Sequence, residues 1–355
     1  MLTLDPLKVL FPALVSFIIG IVIAPTVMRQ LEYYKVWKKK SVAKTIDGKE
    51  ATITASLHND EERHLLRMGG IVVWVSVFAT ALLFWLVSKF YPTSITEKLD
   101  FISRKQTWLP LMGMLVGALV GGIDDLLVSN VLKRFGTYIG GGLSFPIRLG
   151  AVACMGLFAG LWFYIKLGVS SVHVPFYGSL HLGGLLFVLF FIIVTIALFS
   201  TSVIDGIDGL SGGIFSAIFS AYGAIAFINN QIDIATLSFV IAAAIMSFLW
   251  FNVPPASFMM GETGIMAILL ALSIIAFLTD SVLYLPIIAF PLVVTTTSVI
   301  LQLTWKKFFK RKLFLVAPLH HHFEAKGWPR YRIVMRYWIV SYMCALLGVV
   351  LVLIS

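Results

Sequence analysis

Apolar residues recur along this chain in stretches of about twenty, each closed by a short polar interruption. A helix rises 1.5 Å per residue, so about 20 residues cross a hydrocarbon core of about 30 Å. Ten stretches reach that length: 10–31, 69–90, 108–127, 149–167, 183–201, 211–229, 234–252, 263–279, 282–303 and 336–354. Backbone polar groups in lipid must be hydrogen-bonded internally, which leaves a helix bundle as the architecture. The pattern predicts an all-α integral membrane protein, a bundle of about ten transmembrane helices forming one polytopic domain over residues 1–355. Between the fourth and fifth stretches, 172–182 alternates around Pro175 and Gly178 without a basic residue, and predicts a short external β-hairpin.

Composition agrees, with 59% hydrophobic and 12% charged residues. A net charge of +10 raises the question of nucleic acid, but the distribution of that charge excludes it as a partner. Of the 27 Lys and Arg, 21 fall in the polar segments 29–68, 128–148 and 304–336. The positive-inside bias then makes those loops cytoplasmic and both termini extracytoplasmic. Attraction to anionic lipid accounts for most of the bias, and steering of a phosphorylated substrate adds to it. Lys8 and the apolar run after it superficially resemble a signal peptide. The run is long for one and lacks a small-x-small cleavage site, so it is taken as the first span. Cys154 and Cys344 lie inside spans and imply neither a disulfide nor a metal site. The mixed charge of 29–68 suggests a mobile cytoplasmic loop, and the apolar patch 313–316 behind a basic run suggests an amphipathic interfacial segment.

Against this background the placement of acidic residues stands out. Asp124-Asp125, the Asp205-Gly206-Ile207-Asp208-Gly209 loop, Glu262 and His320-His321-His322-Phe323-Glu324 each border an apolar stretch, all on one predicted side. Adjacent carboxylates repel and resist desolvation, and a divalent cation relieves both costs. Ligation by oxygen alone points to Mg²⁺, with Mn²⁺ possible, rather than zinc. The plainer reading is a solvated Asp pair at a helix end. Asp205 and Asp208 share a face if helical, and Gly206 and Gly209 let backbone N–H groups approach a phosphate or nucleoside; the plainer reading is a glycine turn with Asp caps. Glu262 by itself suits a helix N-terminus. Consecutive histidines point in different directions and do not make a zinc site, but imidazoles can bind phosphate oxygens or move protons. At least one of the three is expected only to cap a loop. His58, His64, His173 and His181 are taken as ordinary loop residues.

These pieces resemble the polyprenyl-phosphate N-acetylhexosamine-1-phosphate transferases, and most of all their phospho-N-acetylmuramoyl-pentapeptide transferase branch. Pro318 through Pro329 is similar to that branch's HHHFE–KGWP signature. Asp205–Leu210 resembles its DGLDGL loop, Phe251–Gly264 its FN–PA–FMGD–G loop, Gly142–Arg148 its GLPARYK stretch, and Met68-Gly69-Gly70 its TMGG. The order of the matches is the family's, from residue 68 to 338. This chain departs at Val128, where the family has Lys, at Ser202 for Asn, Glu262 for Asp, Met259 for an aromatic residue, and Leu65-Leu66-Arg67 for Thr-Pro-Thr. Lys133, Arg148 and Arg67 are the cations available to replace the missing Lys.

The resemblance implies transfer of phospho-MurNAc-pentapeptide from its UDP carrier to undecaprenyl phosphate at the cytoplasmic face of the cell membrane, in peptidoglycan synthesis, with UMP released. It implies Mg²⁺ held by Asp124, Asp125 and Glu262, and a catalytic set of Asp124, Asp125, Asp205, His320, His321 and His322. Asp124 would deprotonate the lipid phosphate or attack the diphosphate, and both routes stay open. The substrate-binding set would be Asp208, Gly206, Gly209, Asn252, Met259, Gln302, Arg148 and Lys133. Membrane lipids surround the bundle, and a homodimer is compatible with the family. The alternatives are a transferase for a related UDP-sugar, a secondary transporter, whose carboxylates would sit near the bilayer midplane, and a non-catalytic scaffold.

Overall fold

The computed structural model describes residues 4–37, 65–102, 106–129 and 142–355. Most of the 29–68 loop, together with Lys133, lies outside those residues. The long helices are α1 (Leu4–Tyr33), α2 (Ile71–Phe90), α4 (Trp108–Val128), α5 (Phe145–Trp162), α6 (Gly183–Phe199), α7 (Leu210–Ile228), α8 (Ile232–Asn252), α9 (Gly261–Leu278), α11 (Phe290–Phe309) and α13 (Arg330–Ile354). Among the described residues the short α-helices are α3 (Ser94–Leu99), α10 (Leu285–Ile288) and α12 (Leu319–Ala325). Between α5 and α6 stands the expected hairpin, β1 (Ser171–Val174) antiparallel to β2 (Gly178–His181), with Val172 opposite Leu180. Over the described residues the protein is thus a mostly helical membrane bundle with one small two-stranded sheet.

Among the described residues nine helices are long and apolar enough to cross a membrane, and a tenth span is broken. The expected continuous stretch 282–303 instead bends by 81° between 282–288 and Phe290–Phe309. Pro286 and Pro291 flank the break. Each removes a backbone donor and crowds the preceding turn, so neither turn can run straight into the next.

The core is centred on α9, whose residues are almost all buried, packed against α4. Their contact is a glycine stripe. A Cβ at Gly117 would fall 2.4 Å from the carbonyl oxygen of Met266, and one at Gly121 would fall 2.1 Å from that of Glu262. Small residues every fourth position let two backbones touch where lipid supplies no hydrophobic drive for association. Around this pair, α7 and α8 pack on each other, α1 lies on α8, and α13 lies on α7. Trp338 of α13 fills the space over Gly213, and its indole N–H donates to the carbonyl of Gly209 at 3.0 Å. Exposed large apolar side chains such as Leu185, Leu186, Ile193, Ile339 and Met343 line the outer faces of α6 and α13, as a lipid-facing surface requires.

Candidate active site

Four chain segments meet where α9 begins. Met259 N–H donates to the carbonyl of Leu66, and the N–H groups of Gly69 and Gly70 donate to the carbonyls of Met259 and Met260. This stitching brings the 65–70 segment, and Arg67 with it, onto the start of α9. The first N–H groups of a helix have no partner within it and carry its positive dipole end. Here they are met by carboxylates from elsewhere: Gly261 N–H donates to Asp205 Oδ2 at 3.1 Å and Thr263 N–H to Asp125 Oδ2 at 3.0 Å. Asp205 also accepts from the Ser211 hydroxyl at 2.8 Å. Burial pushes the Asp205 carboxyl up, against the lowering effect of the Ser211 and Gly261 bonds.

Asp124 and Asp125 close the span as expected, near the C-terminal end of α4, but they are buried there, 4% and 0% exposed. The solvated-pair reading fails for that reason. Asp124 Oδ1 accepts from Leu143 N–H at 2.6 Å, and a Cβ at Gly142 (φ 72°) would press on the same oxygen at 2.6 Å. Arg148, in the first turn of α5, places one Nη1 at 2.9 Å from Glu262 Oε1 and 3.8 Å from Asp124 Oδ2. Arg67 Nη2 lies 3.5 Å from Asp125 Oδ1. Two of the three cations considered for the missing Lys therefore stand at the carboxylates.

The three carboxylates do not converge on one point: no three His, Cys, Asp or Glu side chains among the described residues form a group able to hold an ion. Asp124 is turned toward Leu143 and Arg148 instead. Mg²⁺ does not require such a cage, because one or two carboxylates together with substrate phosphates ordinarily hold it. Asp125 Oδ1 and Glu262 Oε2 are buried without a hydrogen-bond donor. Two anionic oxygens left without donors, in an all-oxygen set, fit a hard divalent cation. Arg148 Nε is likewise buried without an acceptor, as a donor awaiting an anion would be.

The Asp205–Gly209 loop is not helical, so the shared-face expectation for Asp205 and Asp208 gives way to a glycine turn. Gly209 (φ 77°) starts α7 in a backbone conformation that favours glycine. Asp208 reaches the segment between α8 and α9, where its Oδ2 accepts from Ala256 N–H at 3.2 Å, while Asp205 reaches the first residue of α9, Gly261. Asn252 ties the same segments together, accepting from Gly209 N–H at 2.9 Å and donating to the Phe258 carbonyl at 2.7 Å. Met259 contributes through its backbone.

The histidine run forms α12, and the 313–318 segment before it, which holds the apolar patch 313–316, is irregular. Gln302 shapes that segment, accepting from Leu313 and Phe314 N–H and donating to the Phe314 carbonyl. His322 accepts from Leu315 N–H at 3.2 Å. The bonds of Gln302 and His322 thus go to the loop and not to the carboxylates. His320 and His321 turn the other way. A Cβ at Gly206 would fall 2.7 Å from His320 Nε2 and 3.0 Å from His321 Nε2. His320 is fully buried with neither ring nitrogen bonded, and burial, then the neighbouring His321, pushes it down to about 3. It is a neutral imidazole throughout the physiological range.

Glu324 and Arg330, given no role from the sequence, complete this corner. Glu324 Oε2 lies 2.6 Å from His321 Nδ1, and Arg330 Nε donates to Glu324 Oε1 at 2.6 Å. Burial raises the Glu324 carboxyl, but the His321 and Arg330 bonds outweigh it and bring it from 4.5 down to about 2. A depressed carboxyl stabilises the fold fully above its unfolded value and loses that contribution as pH falls toward its folded value. Glu324→Gln is therefore expected to lower the apparent melting midpoint in detergent near neutral pH. The gap to the wild type should close as pH falls from about 4.5 toward about 2.

Comparison with known proteins places this arrangement. The glycosyl transferase family 4 model matches residues 107–280. A phospho-N-acetylmuramoyl-pentapeptide-transferase of Chlorobium phaeobacteroides (strain BS1) is 34% identical over 313 residues, covering 80% of this chain and 79% of that protein. One from Geobacillus kaustophilus (strain HTA426) is 31% identical over 342 residues, covering 94% and 95%. One from Chlorobaculum parvum is 33% identical over 306 residues, covering 77% and 76%.

Proposed function

Because the chain belongs to the phospho-N-acetylmuramoyl-pentapeptide-transferase family, we propose that it moves phospho-MurNAc-pentapeptide from UDP-MurNAc-pentapeptide to undecaprenyl phosphate, releasing UMP. The observation that carries the reading is the gathering of Asp124, Asp125, Asp205 and Glu262, with Arg67 and Arg148, at the start of α9. Helix capping alone does not call for it, since Asn caps as well as Asp and without burying charge. Phosphoryl transfer asks for positioning and for compensation of moving charge, which this set can supply.

In this reading Asp125 and Glu262 would hold Mg²⁺, which would offset the charge of the diphosphate and of the leaving UMP. Arg148 and Arg67 contact phosphate oxygens, taking the place of the Lys that this chain lacks at Val128. Asp124 takes the proton of the lipid phosphate or attacks the diphosphate. Asp205 and Asp208 hold the glycine loop in place for the nucleotide, and His320 and His321 border it at Gly206. In this reading the site faces the cytoplasmic side of the cell membrane, a side that the charge bias of the loops supports, and the lipid substrate enters from the bilayer between spans.

The test is UMP release by purified protein given UDP-MurNAc-pentapeptide, undecaprenyl phosphate and Mg²⁺. We expect release that stops on chelation and resumes when Mg²⁺ is restored. Absence of release, with a known transferase active alongside, would leave the transporter or scaffold readings.

A further inference from the structure

The His321–Glu324–Arg330 chain has a form that simple packing does not require. Glu324 is 8% exposed and spends one carboxylate oxygen on the imidazole Nδ1 and the other on the Arg330 guanidinium, each at 2.6 Å. Arg330 is the first residue of α13, so the carboxylate is anchored to a long helix rather than to the short α12 that carries His321. The opposite edge of the ring, Nε2, faces Gly206, where a single methyl group would crowd it at 3.0 Å. An ionised carboxylate accepts only, so the nitrogen facing it must carry a proton. That fixes which ring nitrogen is presented to the Asp205–Gly209 loop.

We propose that Glu324 is a positioning residue, held by Arg330, which fixes His321 with its proton on Nδ1 and Nε2 turned toward the loop at Gly206. This rests on the functional reading above, because the loop is where that reading places the nucleotide. The logic is that of a carboxylate orienting a working imidazole through the nitrogen that does not meet the substrate. Among the charged and titratable groups near His321 are His320, whose ring centroid lies 4.4 Å away, Glu324, and Arg330 behind Glu324; Asp205 and Asp208 belong to the loop that the ring faces. Of these, Glu324 meets Nδ1 directly. The depressed carboxyl of Glu324 agrees with a fixed anion there.

Two measurements test it. The first is nitrogen-15 solid-state NMR of histidine-labelled protein in lipid, with the His321 signal identified by its loss in His321→Asn. A protonated Nδ1 in the wild type, lost or exchanged for the other nitrogen in Glu324→Ala, which removes the acceptor, is expected; a bare Nδ1 in the wild type overturns the proposal. The second is UMP release by Glu324→Gln, His321→Ala and the double variant, assayed below their melting midpoints. Glu324→Gln should lower kcat roughly 10- to 100-fold, Glu324→Asp should recover part of it, and the double variant should be no slower than His321→Ala. Losses that multiply in the double variant, as two separate packing defects would give, overturn it. Should the wild type release no UMP, the functional reading falls, and the NMR result still decides how His321 is held.

Discussion

Asp124→Asn is expected to lower UMP release by about 10²- to 10⁴-fold while leaving the fold intact. The substitution separates two roles cleanly. As a structural residue, Asp124 accepts the Leu143 N–H through Oδ1, and an asparagine carbonyl accepts it equally well. As a base or nucleophile it needs the anion, which asparagine lacks. The melting midpoint should therefore stay within a few degrees of the wild type while turnover collapses. Near-wild-type turnover would reduce Asp124 to an anchor for the 142–144 turn.

Gly121→Val is expected to damage both stability and activity. The Cβ it adds would lie 2.1 Å from the Glu262 carbonyl oxygen and 2.4 Å from its carbon, backbone atoms that no rotamer change can move. The helices must part, and forced insertion of this kind costs about 1–3 kcal/mol or more. The shift is transmitted directly to the site, because Gly121 lies one turn before Asp124 and Asp125 and presses on the residue that carries the Glu262 carboxylate. A displacement near 1 Å costs about 10²-fold in rate. A lowered midpoint and at least that loss of turnover are expected, measured by thermal unfolding in detergent and by UMP release. Gly150, with open space around its Cβ position, is the control, and Gly150→Ala should change neither by much.

How far the sequence carried depended on whether local pattern or distant contact set each feature. Spans were readable because lipid imposes length and apolarity on each one separately. The hairpin around Gly178 was readable for the same local reason. The break at Ala289 was missed, since apolarity runs straight through it and Pro286 and Pro291 had to be weighed against a continuous pattern. Asp124 and Asp125 were singled out by residue type, yet their burial was not visible; it follows from α9 offering its N-terminal N–H groups, a contact 138 residues away for Thr263 and Asp125. The same holds for Glu262, whose partner Arg148 is 114 residues off. Glu324 and Arg330 lie six residues apart and flank the histidines, so their pairing was within reach of the sequence. The alternation of charge around α12 was the available signal. Gln302 and His322 illustrate the reverse, polar residues beside a site whose hydrogen bonds serve the 313–315 segment.

Transfer by the proposed route requires that the buried carboxylates at the start of α9 receive a divalent ion together with a diphosphate. Electron paramagnetic resonance of Mn²⁺ added to the purified protein with UDP-MurNAc-pentapeptide tests this most directly. One bound Mn²⁺ per chain is predicted in the wild type, weakened at least ~10-fold in Glu262→Gln and in Asp125→Asn. Equal Mn²⁺ binding by the wild type and both variants, or none by any of them, would contradict it.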